Sequence, residues 1–431
     1  MEGQKIYELA KKIWPINRSI TGDGVRETLS ILSEINKNLK IFEIASGTEC
    51  FDWNVPKEWR ITEAWIKDDK GRVIVDFLNN NLHVMGYSVP VDCFLSLEEL
   101  QKHLYSLKDQ PDLIPYVTSY YQENWGFCIC QNERDALESG IYHAHIKSEI
   151  FDGVMNYGEI IIPGNTSEEI FLSTYICHPS MANNELSGPC LTIFLANWIS
   201  TLKDRRYTYR IVFLPETIGS ICYLSKHAEL MKKRTLAGFV ITCVGDDNMW
   251  SFLPSLKGNT LGDRIVAHVL KHIAKDGKYN EYSFINDRGS DERQYCSPGI
   301  DLPICSLMRS KYGEYKEYHT SADDLNFISP EGLNNSFEAY KRVIEIIEYN
   351  SYPKATYSCE PNLGKRNLYP LVSTKESWAH VSVIINILAL SDGKRSILDI
   401  AELINLPASA VKEKVKLLCS EGLLETNTDA F

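Results

Sequence analysis

The chain reads as an α/β protein: a mostly parallel, mixed sheet with helices on both faces, joined to a small inserted β-rich domain and a C-terminal winged helix. Three observations predict this. Apolar strand-like and helix-like runs alternate through the middle of the chain, a block of short turn-separated β-type runs interrupts the N-terminal part, and the tail has a helix-turn-helix cadence.

The elements follow in order. Residues 6–39 carry helical apolar spacing broken at IWPINRSITGDG, where Pro15, Gly22 and Gly24 force a turn, so two helices are expected. From about residue 47 to residue 151 the texture becomes WRITEAWIKD, GRVIVDF and WGFCICQ, short β runs between turn signals. Then GEIIIPG and EEIFLSTYICHP read as strands, GPCLTIFLANWISTL as a helix, YTYRIVFLP as a strand, SICYLSKHAELMKK as a helix and AGFVITCVG as a strand. Such alternation makes a mostly parallel sheet, whose ligand sites lie beyond the carboxyl ends of its strands. SYPKATYSCEPNLGKRNLYPLV reads as a linker or strap, and SWAHVSVIINILALSDGK with SILDIAELINLPASAVKEKVKLLCSEGLLE as three helices and a short ribbon, with Pro407 at the turn and Gly422 ending the third helix. The expected division is residues 1–50 with 150–355, an insert at 51–149, and a winged helix at 365–431.

Length and composition bound the function. A chain of 431 residues exceeds what one core usually organises, leaving room for an enzyme with accessory modules. A formal net charge of −12 argues against a protein built to grip phosphate backbones. No apolar run approaches the ~20 residues that span a bilayer, and the N-terminal sequence lacks a signal-peptide core, so a cytoplasmic protein with no membrane partner is expected. The 12 cysteines are scattered singly; Cys128 and Cys130 share a strand face, but without a second such pair they read as ordinary thiols.

Four segments place chemistry-bearing residues where strands end. STYICHPSMANNELSG delivers His178 past an apolar strand, FLPETIGS does the same for Glu216, NDRGSDERQY holds Asp291, and EYHTSADD holds His319 with Asp323 four residues on, placed to orient an imidazole. Alone, each has a plain structural explanation: a core histidine, a helix cap, a surface ion-pair cluster. Together, imidazoles and carboxylates suit zinc, which would bring its water's pKa towards neutrality for attack on a carbonyl.

In order and surroundings these segments resemble the co-catalytic zinc aminopeptidases of the bacterial leucyl aminopeptidase type, in the branch that carries an inserted β-rich domain and a C-terminal winged helix. The resemblance covers nearly the whole chain and implies a zinc-exopeptidase-like fold. The family's pattern is a strand-borne His, Asp-Asn or Asp-Asp before x-Ser-Gly, Glu-Glu-x-Gly, Ser-Asp, and His-Thr or His-Ser. It falls here on His178, on Asn184 ahead of Ser187-Gly188, on Glu216-Thr217-Ile218-Gly219, on Ser290-Asp291 and on His319-Thr320. The resemblance implies that His178 and Asp291 hold one zinc, that His319 belongs to a second, and that Glu216 is the general base. Two positions depart: the bridging carboxylate is Asn184 and the second Glu is Thr217. Two missing carboxylates favour one zinc over two, bound by His178, Asp291 and His319 with Asn184 nearby, and Glu216 as base or direct ligand.

Arg288, Arg293, Arg309, Tyr295 and Tyr318 flank these segments and are candidates to bind a substrate carboxylate or an oxyanion, or form a solvated loop. In YHAHI, His143 and His145 share a strand face but lack an evident third ligand. The tail, residues 376–431, holds five Lys or Arg against eight Asp or Glu, so nucleic-acid binding is disfavoured and packing or homodimerisation is expected. The expected activity is cleavage of an amide or peptide bond beside a free amine in a small substrate, with the insert narrowing access. A deacylase or cyclising acyl transferase, or a catalytically reduced sensor reporting through the winged helix, are the competing readings.

Overall fold

The computed structural model describes residues 1–369 and 375–427; part of the expected linker, residues 370–374, and the end of the expected winged helix, residues 428–431, lie outside them. The chain forms two compact units, residues 1–263 with 279–338, and residues 264–278 with 339–431.

The first unit is organised by an eight-stranded mixed sheet in the order 40–45, 154–162, 208–214, 169–175, 235–240, 304–308, 251–253, 280–281. Glu169–Tyr175 is buried at all seven positions, which requires cover on both faces. Phe171 and Tyr175 pack with Val212, Leu214 and the residues Ile218, Ile221 and Cys222 of helix Ile218–Arg234 on one side. On the other lies helix Ser187–Thr201, which approaches so closely that a Cβ on Gly188 would stand 2.4 Å from the Ile241 carbonyl oxygen and 2.5 Å from Thr174 Oγ1. The Gly of the Ser-Gly pair is therefore required by packing. The strand Lys40–Ala45, not anticipated from the sequence, pairs antiparallel with Val154–Ile162 at the sheet edge.

Within the first unit, the β-rich stretch expected as an insert forms a four-stranded sheet of its own, ordered 73–76, 58–67, 141–151, 91–96. Ile141–Phe151 alternates buried and partly exposed positions over most of its length, as a sheet with one wet face does. Its dry face packs Ala64, Ile66, Val75, Phe127, Ala144 and Ile146 into a separate core.

The second unit holds the helices Lys375–Leu390, Ile397–Ile404 and Ala408–Ser420. Ser396 and Asp399 form a reciprocal capping box that starts Ile397–Ile404, and Asn405, at φ 54°, ends it in a left-handed turn. The segment read as a linker contributes a strand: Tyr352–Ala355 pairs antiparallel with Leu424–Asn427 to complete the wing. Pro353 hid it, because proline argues against a strand except where, as here, the ribbon has only two strands. The His268 ring accepts the Ala408 N–H at 3.0 Å, supplying the cap that Pro407 cannot give the third helix.

Candidate active site

The sheet itself gathers the first two residues. Glu169–Tyr175 runs parallel between Thr208–Leu214 and Thr235–Val240, so their carboxyl ends lie side by side. His178 leaves the first of these and Glu216 the second, and His178 Nε2 stands 3.8 Å from Glu216 Oε2. Glu216 is presented by a γ-turn: the Ile218 N–H returns to the Glu216 carbonyl at 2.8 Å around Thr217, which sits at φ 64°, ψ −75°. A β-branched residue in that conformation costs about 1–3 kcal/mol, and such strain persists where the surroundings impose it.

Asp291 supplies part of that imposition. Its Oδ1 accepts the Thr217 N–H at 2.7 Å and the Ser220 hydroxyl at 2.8 Å, while the neighbouring Ser290 hydroxyl donates to Glu216 Oε1 at 2.5 Å. Asp291 and Glu216 thus share one corner, and burial raises both carboxyls above their ordinary range, Asp291 further through the nearby Glu216 charge. His319 completes the group from a left-handed position at φ 55°, its ring centroid 5.4 Å from that of His178. Burial, then the neighbouring His178, lower the His319 imidazole to about 3, which keeps it neutral.

Behind His178 lies a pair that sequence reasoning missed. Glu185 accepts the His178 backbone N–H and places Oε2 3.5 Å from His178 Nδ1, while its Oε1 takes the Arg18 Nε–H at 2.8 Å. Both partners are fully buried. The available signal was the charged residue in MANNELSG, one place after Asn184, and the lone Arg of PINRSITG. Asn184 is held by Tyr175, whose hydroxyl donates to its Oδ1 at 2.9 Å.

Asp323 corrects an expectation. Its carboxylate accepts the N–H groups of Asn183 and Asn184 at 2.6 and 3.1 Å and the Tyr315 hydroxyl at 2.8 Å, so it braces the loop of Asn184 instead of orienting an imidazole. Of the flanking candidates, Tyr318 stacks on His319 at 3.9 Å and Arg293 reaches Thr217 Oγ1 at 3.1 Å beside Glu216. The structure does not bring the others to the cluster. Arg288 turns back to the carbonyls of Phe284 and Ile285, Arg309 is buried over the Trp250 ring, and Tyr295 is a core residue whose hydroxyl meets Ser173 Oγ at 2.8 Å. Cys128 is buried and Cys130 donates to the Asp112 carbonyl, and among the described residues neither belongs to a metal-holding group of His, Cys, Asp or Glu. His143 and His145 do have a neighbouring carboxylate, Asp92, which cross-strand pairing sets opposite His145.

Asp291 Oδ2, His319 Nε2 and Asn184 Nδ2 are among the side-chain atoms around the cluster that are buried without a hydrogen-bond partner. Among the described residues no three His, Cys, Asp or Glu side chains stand close enough together to clasp an ion as they are. The donor chemistry nevertheless fits zinc, because a carboxylate oxygen and an imidazole nitrogen, each stripped of water and left unpaired, are atoms that a cation satisfies.

A mixed sheet with a strand-end cluster of this kind defines an aminopeptidase-like fold. A solved zinc aminopeptidase from Bacillus subtilis superposes with a TM-score of 0.59 over 80% of this chain and 94% of that one; at 12% identity the likeness is one of fold. The chain belongs to the family described as "Domain of unknown function (DUF4910)", which matches residues 7–350, and residues 351–426 match a winged helix-turn-helix family. A Clostridium acetobutylicum protein named "Putative polysaccharide biosynthesis protein with aminopeptidase-like domain" is 46% identical over 401 residues, 93% of this chain and 91% of that one. A crystal structure of a putative peptidase from the same organism superposes with a TM-score of 0.92 at 44% identity, covering 99% of this chain and 97% of that one. Among the described residues no helix is long and apolar enough to cross a membrane.

Proposed function

We propose that the chain is a zinc-dependent hydrolase of the leucyl aminopeptidase type that cleaves an amide or peptide bond beside a free amine in a small substrate. The observation that carries this reading is the convergence of His178, Glu216, Asp291 and His319 at the strand ends, with Asp291 Oδ2 and His319 Nε2 buried and unpaired. His178, Asp291 and His319 would hold one zinc, with Asn184 beside them. When bound, zinc supplies Lewis acidity that polarises the carbonyl and makes a water easier to deprotonate.

The protein's own groups do the rest. Glu216 Oε1 is occupied by Ser290, so Oε2, on the His178 side, is the oxygen that takes the proton from the attacking water and returns it to the leaving amine. Arg293 keeps positive charge beside Glu216. Glu185 and Arg18 hold His178 from behind, the arrangement by which a buried carboxylate fixes an imidazole's tautomer. Twelve free cysteines suit a reducing, cytoplasmic compartment. The acidic tail leaves the winged helix a packing or dimerisation module.

The test is metal analysis of purified protein followed by hydrolysis of aminoacyl amides, including an aminoacyl amino sugar because the Clostridium relative is named for polysaccharide biosynthesis. One zinc per chain and a loss of about 10²–10⁴-fold in Glu216→Gln are expected. Two tightly bound zincs would refute the single-ion version. Zinc-replete protein that is inert on the panel but shifts a DNA probe in a salt-sensitive way would replace the enzyme with a sensor, the reading that Asn184 and Thr217 keep open.

A further inference from the structure

The inserted domain reaches the cluster through one segment, residues 114–120. The Tyr116 N–H donates to the His319 carbonyl at 2.9 Å, the Ser321 N–H to the Ile114 carbonyl at 2.9 Å, and the Ser321 hydroxyl accepts the Ile114 N–H at 3.0 Å. Pro115 and Thr320 are bridged antiparallel between them. This short ladder ties the loop of His319 to the insert. The insert holds the segment from its other side, where the Gly86 N–H meets the Val117 carbonyl and the Ser119 N–H returns to Gly86. On the His178 side, Met181 is buried in the same apolar cluster as Ile114.

Tyr116 stands over both imidazoles. Its ring centroid is 5.1 Å from that of His178 and 5.0 Å from that of His319, and its hydroxyl is fixed on the Tyr120 hydroxyl at 2.7 Å. With Tyr318 stacked on His319, that imidazole meets two phenol rings, one face-on and one edge-on. A side chain tethered by its own backbone N–H to the loop it covers is a fixed roof, since moving it breaks the ladder that positions His319.

We infer that Tyr116 is a specificity-determining residue contributed by the insert, which controls access to the two imidazoles and confines the cleft to short amides. The inference about substrates rests on the hydrolase reading; the inference about access does not. Two measurements on the full-length protein separate them. Acylation of individual histidines of the metal-free protein by diethyl pyrocarbonate, read by peptide mass, reports access without any turnover and with no zinc on the imidazole nitrogens. His178 and His319 should label about tenfold faster in Tyr116→Ala than in the parent, and at the parental rate in Tyr116→Phe, which keeps the ring. His83 and His227, distant in sequence and half-buried, serve as fold controls. If they also accelerate in Tyr116→Ala, that variant is unfolded and Tyr116→Leu is read in its place.

The kinetic arm compares leucinamide with Leu-Gly-Gly-Gly on zinc-loaded enzyme. The parent should prefer leucinamide, and loss of the ring should narrow the ratio of the two kcat/KM values by about tenfold, chiefly through KM for the tetrapeptide. A merely structural role would lower both substrates together. Equal labelling of His178 and His319 in parent and folded ring-less variants overturns the roof, and an unchanged substrate ratio overturns the specificity role. If neither substrate turns over while labelling behaves as expected, the hydrolase reading fails, the substrate claim fails with it, and the roof stands.

Discussion

The two ends of the central sheet treat buried charge differently. Towards the amino ends of its parallel strands, Arg210 is held at 2.6 and 3.0 Å by Glu169 and at 2.9 Å by Glu159, with the Tyr223 hydroxyl closing the group. Neither Arg210 nor these carboxylates is left with an unpaired buried atom. At the carboxyl ends, Asp291, His319 and Asn184 each keep a buried polar atom unpaired, and even Arg18 has an idle Nη2. Buried polar groups are normally satisfied, because an unmet one costs about 1–3 kcal/mol. The group around Arg210 is closed on itself, whereas the group around His178 keeps buried polar atoms of the kind that a bound cation would satisfy.

The sharpest way to break this contrast is to delete each arginine. Removing one partner of a buried ion pair typically costs about 3–5 kcal/mol, so Arg18→Met and Arg210→Met should both lower the urea midpoint strongly. Only Arg18→Met should also weaken zinc uptake by the folded protein, by about 10–100-fold, because it frees Glu185 from its hold on His178. Equal losses of zinc affinity in the two variants would erase the distinction between the ends. Next in size is Gly188→Ala, which forces a methyl against the Ile241 carbonyl between helix and sheet and should cost about 1–3 kcal/mol in chemical denaturation. Thr217→Gly relieves the γ-turn, so any gain in stability, at most about 1–3 kcal/mol, should come with slower turnover as Glu216 loses its fixed direction.

The smallest effect belongs to the second unit. Burial, then His272, lower His268 to about 4, whereas an unfolded histidine titrates near 6.5. The unfolded chain therefore binds the proton first as pH falls, and the contribution, complete above pH 6.5, is lost progressively towards pH 4. His268→Gln, which keeps an acceptor for the Ala408 N–H, should flatten that acid-side loss of stability; an identical pH profile would show that the cap is not linked to the proton.

Much of this was legible in the sequence, for identifiable reasons. The alternation of EIFLSTY, YRIVFL and GFV with apolar-faced helices is a local pattern, and strands buried on both faces announce themselves as continuous apolar runs. His178, Glu216, Asp291 and His319, which the structure brings together, stood out in the sequence because each follows a strand or a recognisable motif. Arg18 and Glu185 were not, since a buried ion pair across 167 residues leaves no periodic trace. Asp323 was misread because a four-residue spacing in a loop does not put two side chains together as it does on a helix. Lys40–Ala45 escaped because an edge strand with a single buried residue carries little hydrophobic signal.

The ladder beneath Tyr116 joins residues 207 positions apart, Ile114 and Ser321. Closing so long a loop is among the slower events available to a chain, and it comes after both segments have been synthesised. A nascent or proteolytically shortened polypeptide ending before Ser321 therefore carries His178 and Glu216 without the full ladder that seats Tyr116 over His178.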